Sequence, residues 1–261
     1  MSIINELVSQ LSIAPAAKIV DIGCGAGELI YELKDRFDYL IGLDISGELL
    51  NIAKHRLSTE RNTNSKMSFF LASADRLPFK AQSFEIAVYS EILEHIDNTD
   101  KVLDEASHIL KQGGILLISI PVYWVEEIIT SLNKDFIKYS GHVKRFRLNE
   151  IMRLLSEHGF EVILKKNYYF EWTLICTLEA IFSKKFSGID RRRNYEIISE
   201  NYYWDRFELI IKRIVRLGQK IYLAGKIIDL LNFIIPKSYI FLCKKKFTIL
   251  NNKDNYEHIP S

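Results

Sequence analysis

Apolar runs and amphipathic segments alternate along most of the chain. Seven runs have the length and the β-branched and aromatic content of buried strands; they cover residues 18–22, 39–44, 67–72, 84–90, 113–121, 160–166 and 238–246. Four segments instead carry apolar residues at helical spacing, at residues 28–37, 47–57, 99–111 and 149–158. The order of these elements predicts an alternation of strands and helices.

The first five strands determine the expected fold class. Continuous apolar strands separated by helices are typical of a parallel sheet that is covered on both faces. Because crossover connections in such sheets are right-handed, the sequence predicts an α/β protein with a doubly wound, Rossmann-like sheet. Gly113 and Gly114 are interpreted as the stop and turn after the helix at 99–111. Residues 122–146 show no strand pattern and are interpreted as a lid.

The length of the chain, 261 residues, fits one α/β domain with an elaboration. We expect residues 1–166 to form the ligand-binding core, and residues 167–237, whose pattern is mostly helical, to form an insertion. Residues 238–250 are expected to return to the sheet as its final strand, and the polar residues 251–261 to form a flexible tail.

Composition indicates an ordinary globular protein of a reducing compartment. Hydrophobic residues make up 48% and charged residues 26%, so the chain can bury a core and has no disorder signature. The three cysteines match neither a disulfide framework nor a zinc pattern, so no metal site is predicted. No signal peptide and no uninterrupted apolar run of about 18 residues is evident, and a cytoplasmic location is expected.

The net charge of +2 conceals a basic C-terminal region. Residues 206–246 contain ten Lys or Arg residues against two acidic ones, so the remainder of the chain carries a charge of −6. An acidic remainder would repel a long polyanion, and no nucleic-acid partner is expected. Two interpretations of residues 207–235 stay open. They form a basic helix in peripheral contact with an anionic membrane, or a helix whose apolar stripe covers the sheet while its charges face water.

The turn after the first strand, in "IVDIGCGAGEL" at residues 19–29, is rich in glycine and therefore indicates a nucleotide site. The dinucleotide fingerprint has its third glycine where this chain has Glu28, and it offers a helix N-terminus to a pyrophosphate. Asp21 lies at the mouth of the turn. These two acids disfavour a pyrophosphate and favour a ligand with an ammonium and a sulfonium group. No Gly-Lys-Ser/Thr follows the glycines, which excludes a P-loop.

Four stretches carry a family resemblance: "VDIGCGAGEL", "GLDIS", "ASADRLPFKAQSFEIAVYSEILEHI" and "LKQGGILLISIP". They resemble the consecutive motifs of class I S-adenosylmethionine-dependent methyltransferases, in particular the small-molecule enzymes that include the ubiquinone and menaquinone methylases. The resemblance covers about residues 15–166 and, more weakly, the final strand. It implies a seven-stranded, mostly parallel sheet with an antiparallel last strand. It also implies S-adenosyl-L-methionine as methyl donor, S-adenosyl-L-homocysteine as product, and an insertion that shapes the acceptor or membrane-facing side.

The resemblance further implies where the methionine, ribose and methyl groups of the cofactor lie. The backbone of the glycine turn, at Gly23, Gly25 and Gly27, would approach the methionine part. Asp21 would lie nearby. Asp44, followed by Ile45, would accept hydrogen bonds from both ribose hydroxyls, and Ser90 would lie close to the reactive methyl.

Three residues after the third strand would bind the adenine if the resemblance holds. Ala74 and Asp75 would border the ring, with Asp75 accepting a hydrogen bond from the exocyclic amine, and Leu77 would pack on it. Plainer interpretations stay open for two of the acids: Asp44 as a turn or cap residue, and Asp75 as a polar residue of an ordinary loop.

Candidate catalytic residues follow from the chemistry of methyl transfer. Transfer from a sulfonium is an in-line displacement, to which the protein contributes mainly positioning and desolvation. An oxygen acceptor usually also needs a base, and histidine has a pKa near neutrality. His142, in "SGHVKRF", and His95, in "EILEHI" after the fourth strand, are the candidates. A role of His95 in holding its loop stays open.

Two classes of function are therefore compatible with the sequence. The preferred hypothesis is a methyltransferase that acts on O or C of a small molecule, such as a lipid-linked, isoprenoid or glycan-type metabolite. The alternative is a non-catalytic cofactor-binding or membrane-associated interaction module that keeps the fold as a scaffold. The intact glycines and acids favour the enzyme.

Overall fold

Seven strands form a mixed sheet in the computed structural model, which describes residues 3–58, 65–132, 140–168, 173, 226 and 230–247. The strands are β1 (Lys18–Ile22), β2 (Tyr39–Asp44), β3 (Lys66–Leu71), β4 (Phe84–Ser90), β5 (Leu110–Pro121), β6 (Phe160–Tyr168) and β7 (Ser238–Lys245). Their order across the sheet is β3-β2-β1-β4-β5-β7-β6. Strands β1 to β5 pair in parallel, whereas β7 runs antiparallel to β5 and β6. The expected sheet with an antiparallel last strand is confirmed.

Six α-helices whose bounds the structure describes in full accompany the sheet. They are α1 (Ile3–Gln10), α2 (Glu28–Leu33), α3 (Gly47–Ser58), α4 (Thr99–Ile109), α5 (Tyr123–Leu132) and α6 (Leu148–Glu157). The chain passes from β1 outward through β2 and β3, and then returns to the other side of β1 with β4, so the strand order reverses there. Ligands of open α/β sheets bind at the carboxyl ends of the strands at such a switch point.

Alternate side chains of β1 pack on opposite faces of the sheet, which buries every residue of the strand after Lys18. Ile19 belongs to a core cluster that includes Leu7 of α1 and Ile30 of α2. Val20 and Ile22 belong to a second cluster, which includes residues of α4 and α6. Burial on both faces explains why the parallel strands appear in the sequence as continuous apolar runs.

The boundary between α4 and β5 differs from the expectation. Helix α4 ends at Ile109, and β5 continues through Gly113 and Gly114. The pairing of β5 with β4 shifts register across these glycines, and Gly113 has a φ of 72°, which glycine adopts without steric cost. The prediction that the two glycines end the helix is therefore wrong, because they form an irregularity within the strand.

The structure contains two helices that the sequence analysis did not predict. Helix α1 buries Ile4, Leu7 and Val8, and the Arg36 guanidinium donates a hydrogen bond to Asn5 Oδ1 at 3.1 Å. Helix α5 lies in the segment that was interpreted as a lid, and it buries Val125, Glu126 and Ile129. Each of the two helices buries a polar residue among its apolar ones, Asn5 in α1 and Glu126 in α5, which interrupts the apolar spacing in the sequence.

Several expectations fall outside the described residues. Most of the insertion at 167–237, most of the basic segment at 207–235 and the tail at 251–261 lie there. The final strand expected at 238–246 is confirmed as β7. Among the helices that the structure describes, none is long and apolar enough to cross a membrane.

His158, directly after α6, links that helix to α4. Its Nδ1 lies 2.8 Å from Asp104 Oδ1, and its Nε2 lies 3.1 Å from Asp100 Oδ1. Burial alone would lower the pKa of His158, but hydrogen bonds to the two aspartates and their charge outweigh burial and raise the pKa. These contacts therefore stabilise the fold most strongly while the imidazole is protonated and both of its nitrogens donate.

We expect His158→Gln to lower the free energy of unfolding by about 1 kcal/mol at about pH 5.5, since partly exposed ion pairs contribute at most about this much. The loss should disappear as the pH rises through the raised folded-state pKa of His158, because above it neither state holds the proton. Urea unfolding of the variant and of a control at the exposed His55, His55→Gln, tests this at about pH 5.5 and about pH 9. An equal loss of unfolding free energy at both pH values would contradict the role assigned to protonated His158.

Candidate functional site

The glycine turn follows β1 at the switch point of the sheet. Gly23, Gly25 and Gly27 have φ values of 74°, 53° and 78°, in the left-handed region that glycine tolerates. A Cβ on Gly23 would stand 2.0 Å from Ile92 Cδ1, whereas a Cβ on Gly25 would meet no heavy atom within 4 Å. The turn therefore packs against the loop after β4 at Gly23 and borders open space at Gly25.

A cavity of about 260 Å³ lies beside this turn. Of the residues expected to bind a cofactor, Asp21, Gly23, Gly25 and Ser90 line it. The unpredicted helix α1 also contributes to the lining, through Ile3 and Ile4. The cavity thus joins the ends of β1 and β4 under an apolar N-terminal helix.

Asp44, the last residue of β2, holds the glycine turn in place. Its Oδ2 accepts a hydrogen bond from the Gly25 N–H at 2.9 Å, and its Oδ1 accepts one from the Ser46 N–H at 2.8 Å. Ser46 in turn caps α3 by accepting from the Leu49 N–H at 3.2 Å. Each carboxylate oxygen can accept a further hydrogen bond. Asp44 therefore has a structural role and keeps the capacity for two hydroxyl donors.

Asp21 lies in an acidic environment at the mouth of the turn. Burial, followed by the charges of Glu28 and Asp44, raises the pKa of Asp21 to about 8. Three carboxyl groups so close together repel a pyrophosphate, and a cationic ligand group would relieve their mutual repulsion. The charge of the cavity thus agrees with the ligand that Asp21 and Glu28 indicate in the sequence, one with an ammonium and a sulfonium group.

The residues expected at the adenine do not line this cavity. Ala74 and Leu77 lie in the buried core, and Ile45 is 75% exposed. The Asp75 carboxylate accepts a hydrogen bond from Lys101 Nζ at 3.4 Å. The pKa of Asp75 is lowered first by a hydrogen bond from Ser73 and second by Lys101, and the carboxyl is therefore kept ionised. Contact of these residues with an adenine stays a prediction.

Glu91 follows β4 in a strained conformation, with a φ of 55°. Its carboxylate accepts hydrogen bonds from Ser119 Oγ at 3.1 Å and from Lys237 Nζ at 2.6 Å. Burial opposes its charge, but the Lys237 ion pair and the hydroxyls of Ser119 and Ser238 lower the pKa of Glu91. The loop after β4 is thereby tied to the chain just before β7.

The next residues of this loop bring the two candidate histidines together. The carbonyl oxygen of Glu94 accepts hydrogen bonds from the Val143 and Lys144 N–H groups at 2.8 and 3.1 Å. The rings of His95 and His142 meet edge to face with their centroids 4.9 Å apart. Their sequence separation is 47 residues, so only the fold makes them neighbours.

Two buried glutamates accompany the histidine pair. Glu126 of α5 is 4% exposed, and its Oε1 forms a short hydrogen bond with His142 Nδ1. Glu94 is 1% exposed, and burial together with the charge of Glu91 raises its pKa well above the ordinary value. The sequence analysis missed Glu126, although an acid on the buried face of a short amphipathic helix was a usable signal. The sequence analysis also missed Lys237, for which the sequence offered no signal.

A family profile described as a methyltransferase domain matches residues 20–118. The match begins in β1 and ends in β5, so it contains the glycine turn, Asp44 and the loop with His95. Residues 20–118 of the chain are therefore similar to methyltransferase domains. The described β6 and β7 lie beyond the matched residues and complete the sheet.

The chain is similar to several curated proteins. An uncharacterised protein of Methanocaldococcus jannaschii is 30% identical over 171 residues, which are 65% of this chain and 62% of that protein. The ubiquinone/menaquinone biosynthesis C-methyltransferase UbiE of Rhizobium etli is 32% identical over 107 residues, 40% of this chain and 41% of that enzyme. The ubiquinone biosynthesis O-methyltransferase of Hydrogenovibrio crunogenus is 25% identical over 189 residues, 71% and 70% of the two chains. The chain thus spans less than two thirds of the first two relatives.

Solved structures share the fold of the chain. A Haemonchus contortus phosphoethanolamine N-methyltransferase 2, in complex with phosphomonomethylethanolamine and S-adenosylhomocysteine, matches with a TM-score of 0.61 and 18% identity over 93% of this chain and 51% of that one. The [4+2]-cyclase SpnF matches with a TM-score of 0.60 and 18% identity over 94% and 80%. Identities this low show the fold alone, and the cyclase shows that this fold also serves other reactions.

The residues at the glycine turn fit S-adenosylmethionine, the methyl donor that the sequence resemblance implies. The cofactor supplies an electrophilic methyl group on a sulfonium. The buried carboxyl of Asp21 and the nearby Glu28 suit a ligand with positive charges. The open space at Gly25 admits close approach of a ligand to the backbone.

Proposed function

We propose that the protein transfers the methyl group of S-adenosylmethionine to an oxygen or carbon atom of a small molecule. The observation that carries this proposal is the placement of two features at one edge of the sheet. One is the acidic cavity at the glycine turn, and the other is the pair of His95 and His142. Ser90 at the end of β4 lines the cavity, and His95 follows it by five residues.

On the donor side, the chain binds and orients the cofactor. Asp21 pairs with a positive charge of the methionine part, and the Gly25 backbone allows the ligand to approach. Asp44 accepts hydrogen bonds from the ribose hydroxyls while it continues to hold Gly25 and Ser46. Fixing the methyl carbon in line with the acceptor contributes most of the rate enhancement in a displacement of this kind.

On the acceptor side, His95 and His142 bind and activate the acceptor. Glu126 orients His142 through its Nδ1, as a buried carboxylate orients an imidazole in many active sites. Activation matters for a hydroxyl acceptor, which must lose its proton before or during methyl transfer. A carbon acceptor that is already nucleophilic needs only positioning.

A groove beside α5 supports a lipid-linked or isoprenoid acceptor rather than a compact polar one. The groove encloses about 630 Å³ and includes three aromatic residues, Tyr123, Trp124 and Tyr239. Trp124 is 37% exposed and Leu148, also in the groove, is exposed to the same extent. The helix that supplies Tyr123 and Trp124 also supplies Glu126, so the groove and the histidine pair share one element.

Turnover with a labelled methyl donor tests the proposal. The full chain is incubated with methyl-labelled S-adenosylmethionine and a panel of prenylated phenols, polyprenyl-linked sugars and free glycans. We expect label in a member of the panel, and a loss of about 100-fold or more in His142→Gln with unchanged affinity for S-adenosylhomocysteine. Tight binding of S-adenosylhomocysteine without transfer to any acceptor would favour a non-catalytic cofactor-binding module instead.

A further inference from the structure

Glu94, His95 and His142 converge beyond the end of β4. Each offers one ligand atom, a carboxylate oxygen or an imidazole nitrogen, and these atoms lie within 4.8 Å of one another. We propose that the three residues form a binding site for a divalent transition-metal cation. Two imidazoles and one carboxylate are a ligand set that such cations commonly take in proteins.

The carboxylate of Glu94 is the strongest indication of a missing cation. Both of its oxygens are buried and have no hydrogen-bond partner among the residues that the structure describes. A buried carboxylate without a hydrogen bond or counter-charge is strongly unfavourable. Lys237, which reaches this region, contacts the neighbouring Glu91 at 2.6 Å. A cation between Glu94 and the two imidazoles would supply the missing partner.

The two imidazoles are oriented in the way that metal ligands require. His95 Nδ1 lies 3.1 Å from the Gly141 carbonyl oxygen, which can only accept, so Nδ1 carries the proton and the lone pair of the neutral ring is on Nε2. His142 Nδ1 is bonded to the Glu126 carboxylate, which fixes the same tautomer. Carbonyl and carboxylate partners of this kind orient metal-binding histidines and raise their basicity.

Another histidine cluster of the chain lacks this arrangement and serves as a contrast. His158 also lies beside two carboxylates, but Asp104 occupies its Nδ1 and Asp100 its Nε2. Both ring nitrogens therefore face acceptors, as expected of a structural ion pair.

The nature of the ligands defines the class of cation. Mg²⁺, Ca²⁺ and Mn²⁺ prefer sites made of oxygen ligands, whereas imidazole suits Zn²⁺, Fe²⁺, Ni²⁺ and Cu²⁺. Glu94 is buried and His95 is exposed, so the cluster extends from the interior to the surface and is open to a cation from solution. The odd cysteine count, from which no metal site was predicted, bears only on thiolate sites.

The role of the cation rests on the proposed function. Three protein ligands leave coordination positions open, and an acceptor hydroxyl that binds there is acidified and releases its proton to water. The oxygen lone pair then forms the bond to the methyl carbon, and the electrons of the carbon–sulfur bond return to sulfur. In this arrangement His95 and His142 activate the acceptor as ligands of the cation, and neither accepts the proton.

Binding of Co²⁺ to the full chain tests the site. The protein is freed of metal by dialysis against a chelator. Equilibrium dialysis and the visible absorption of protein-bound Co²⁺ then give the stoichiometry and affinity. We expect one equivalent bound, with affinity reduced at least about tenfold in His95→Gln and His142→Gln, and about 10-fold to 100-fold in Glu126→Gln. His158→Gln is the matched control and should bind Co²⁺ as the wild type does.

The outcomes separate the metal site from the proposed function. Glu94→Gln should also lose Co²⁺; if that buried variant does not fold, the exposed His95 provides the same test. A wild type that binds S-adenosylhomocysteine but no Co²⁺ would overturn the metal site alone, as would unchanged Co²⁺ affinity in both histidine variants. A wild type that does not bind S-adenosylhomocysteine would overturn the proposed function, whatever its affinity for Co²⁺.

Discussion

Asp44→Asn is expected to weaken the binding of S-adenosylhomocysteine by about 100-fold or more. The asparagine side chain has one acceptor oxygen, whereas the Asp44 carboxylate accepts from both the Gly25 and the Ser46 N–H groups. In the variant, the side-chain NH₂ group would face one of these backbone N–H groups, donor against donor. The negative charge that accepts hydrogen bonds from the ribose hydroxyls would also be lost. Hydrogen bonds to a charged group contribute about 1.5–3 kcal/mol each, so losing two of them gives at least this effect.

Calorimetric titration measures this loss, with Asp35→Asn as the matched control because its side chain is 70% exposed. Thermal unfolding of both variants distinguishes lost affinity from lost fold. Wild-type affinity in a folded Asp44→Asn would show that the end of β2 does not contact the ligand.

The affinity for S-adenosylhomocysteine is expected to rise with pH up to about pH 8, where Asp21 of the free protein titrates. Pairing with the ligand ammonium requires ionised Asp21, so below this pH the group must release a proton on binding. Linkage then predicts a gain approaching tenfold per pH unit well below pH 8, or about 50-fold in all between pH 6 and pH 8. The raised pKa also lowers the stability of the ligand-free protein as the pH rises from about 4 to about 8. Over this range Asp21 is already ionised in the unfolded chain but still protonated in the folded protein.

Titrations over this range in buffers of different ionisation enthalpy would count the released protons directly. In Asp21→Asn we expect weaker binding with no dependence on pH across the same range. A pH-independent affinity in the wild type would mean that Asp21 does not pair with the ligand.

The central strands could be predicted from the sequence because they are buried on both faces. Alternation in β1 sends Ile19 to one core cluster and Val20 to the other, so the positions between Lys18 and Asp21 are both apolar. Helix α5 escaped prediction because Glu126 interrupts its buried face. Gly113 was wrongly predicted to end a helix because a glycine with positive φ occurs at irregularities within strands as well as at helix ends.

The two halves of the candidate site differ in how far the sequence determines them. On the donor side, Asp21 and Asp44 lie at the carboxyl ends of β1 and β2 and the glycines follow β1 directly, so the switch point of the sheet brings them together. On the acceptor side, His95 and His142 come from distant segments, and Glu126 of α5 binds His142, which lies sixteen residues later in the chain. Such contacts depend on tertiary packing, which local patterns do not encode.

The central claim, that the acidic glycine turn binds the cofactor of a methyltransferase and not a dinucleotide, is tested most directly by calorimetry. S-adenosylhomocysteine and NAD are titrated separately into the wild-type chain at about pH 8, where the Asp21 carboxyl is half ionised. The account predicts saturable, equimolar binding of S-adenosylhomocysteine and no detectable binding of NAD. Absence of heat with S-adenosylhomocysteine, or equal affinity for NAD, would contradict it.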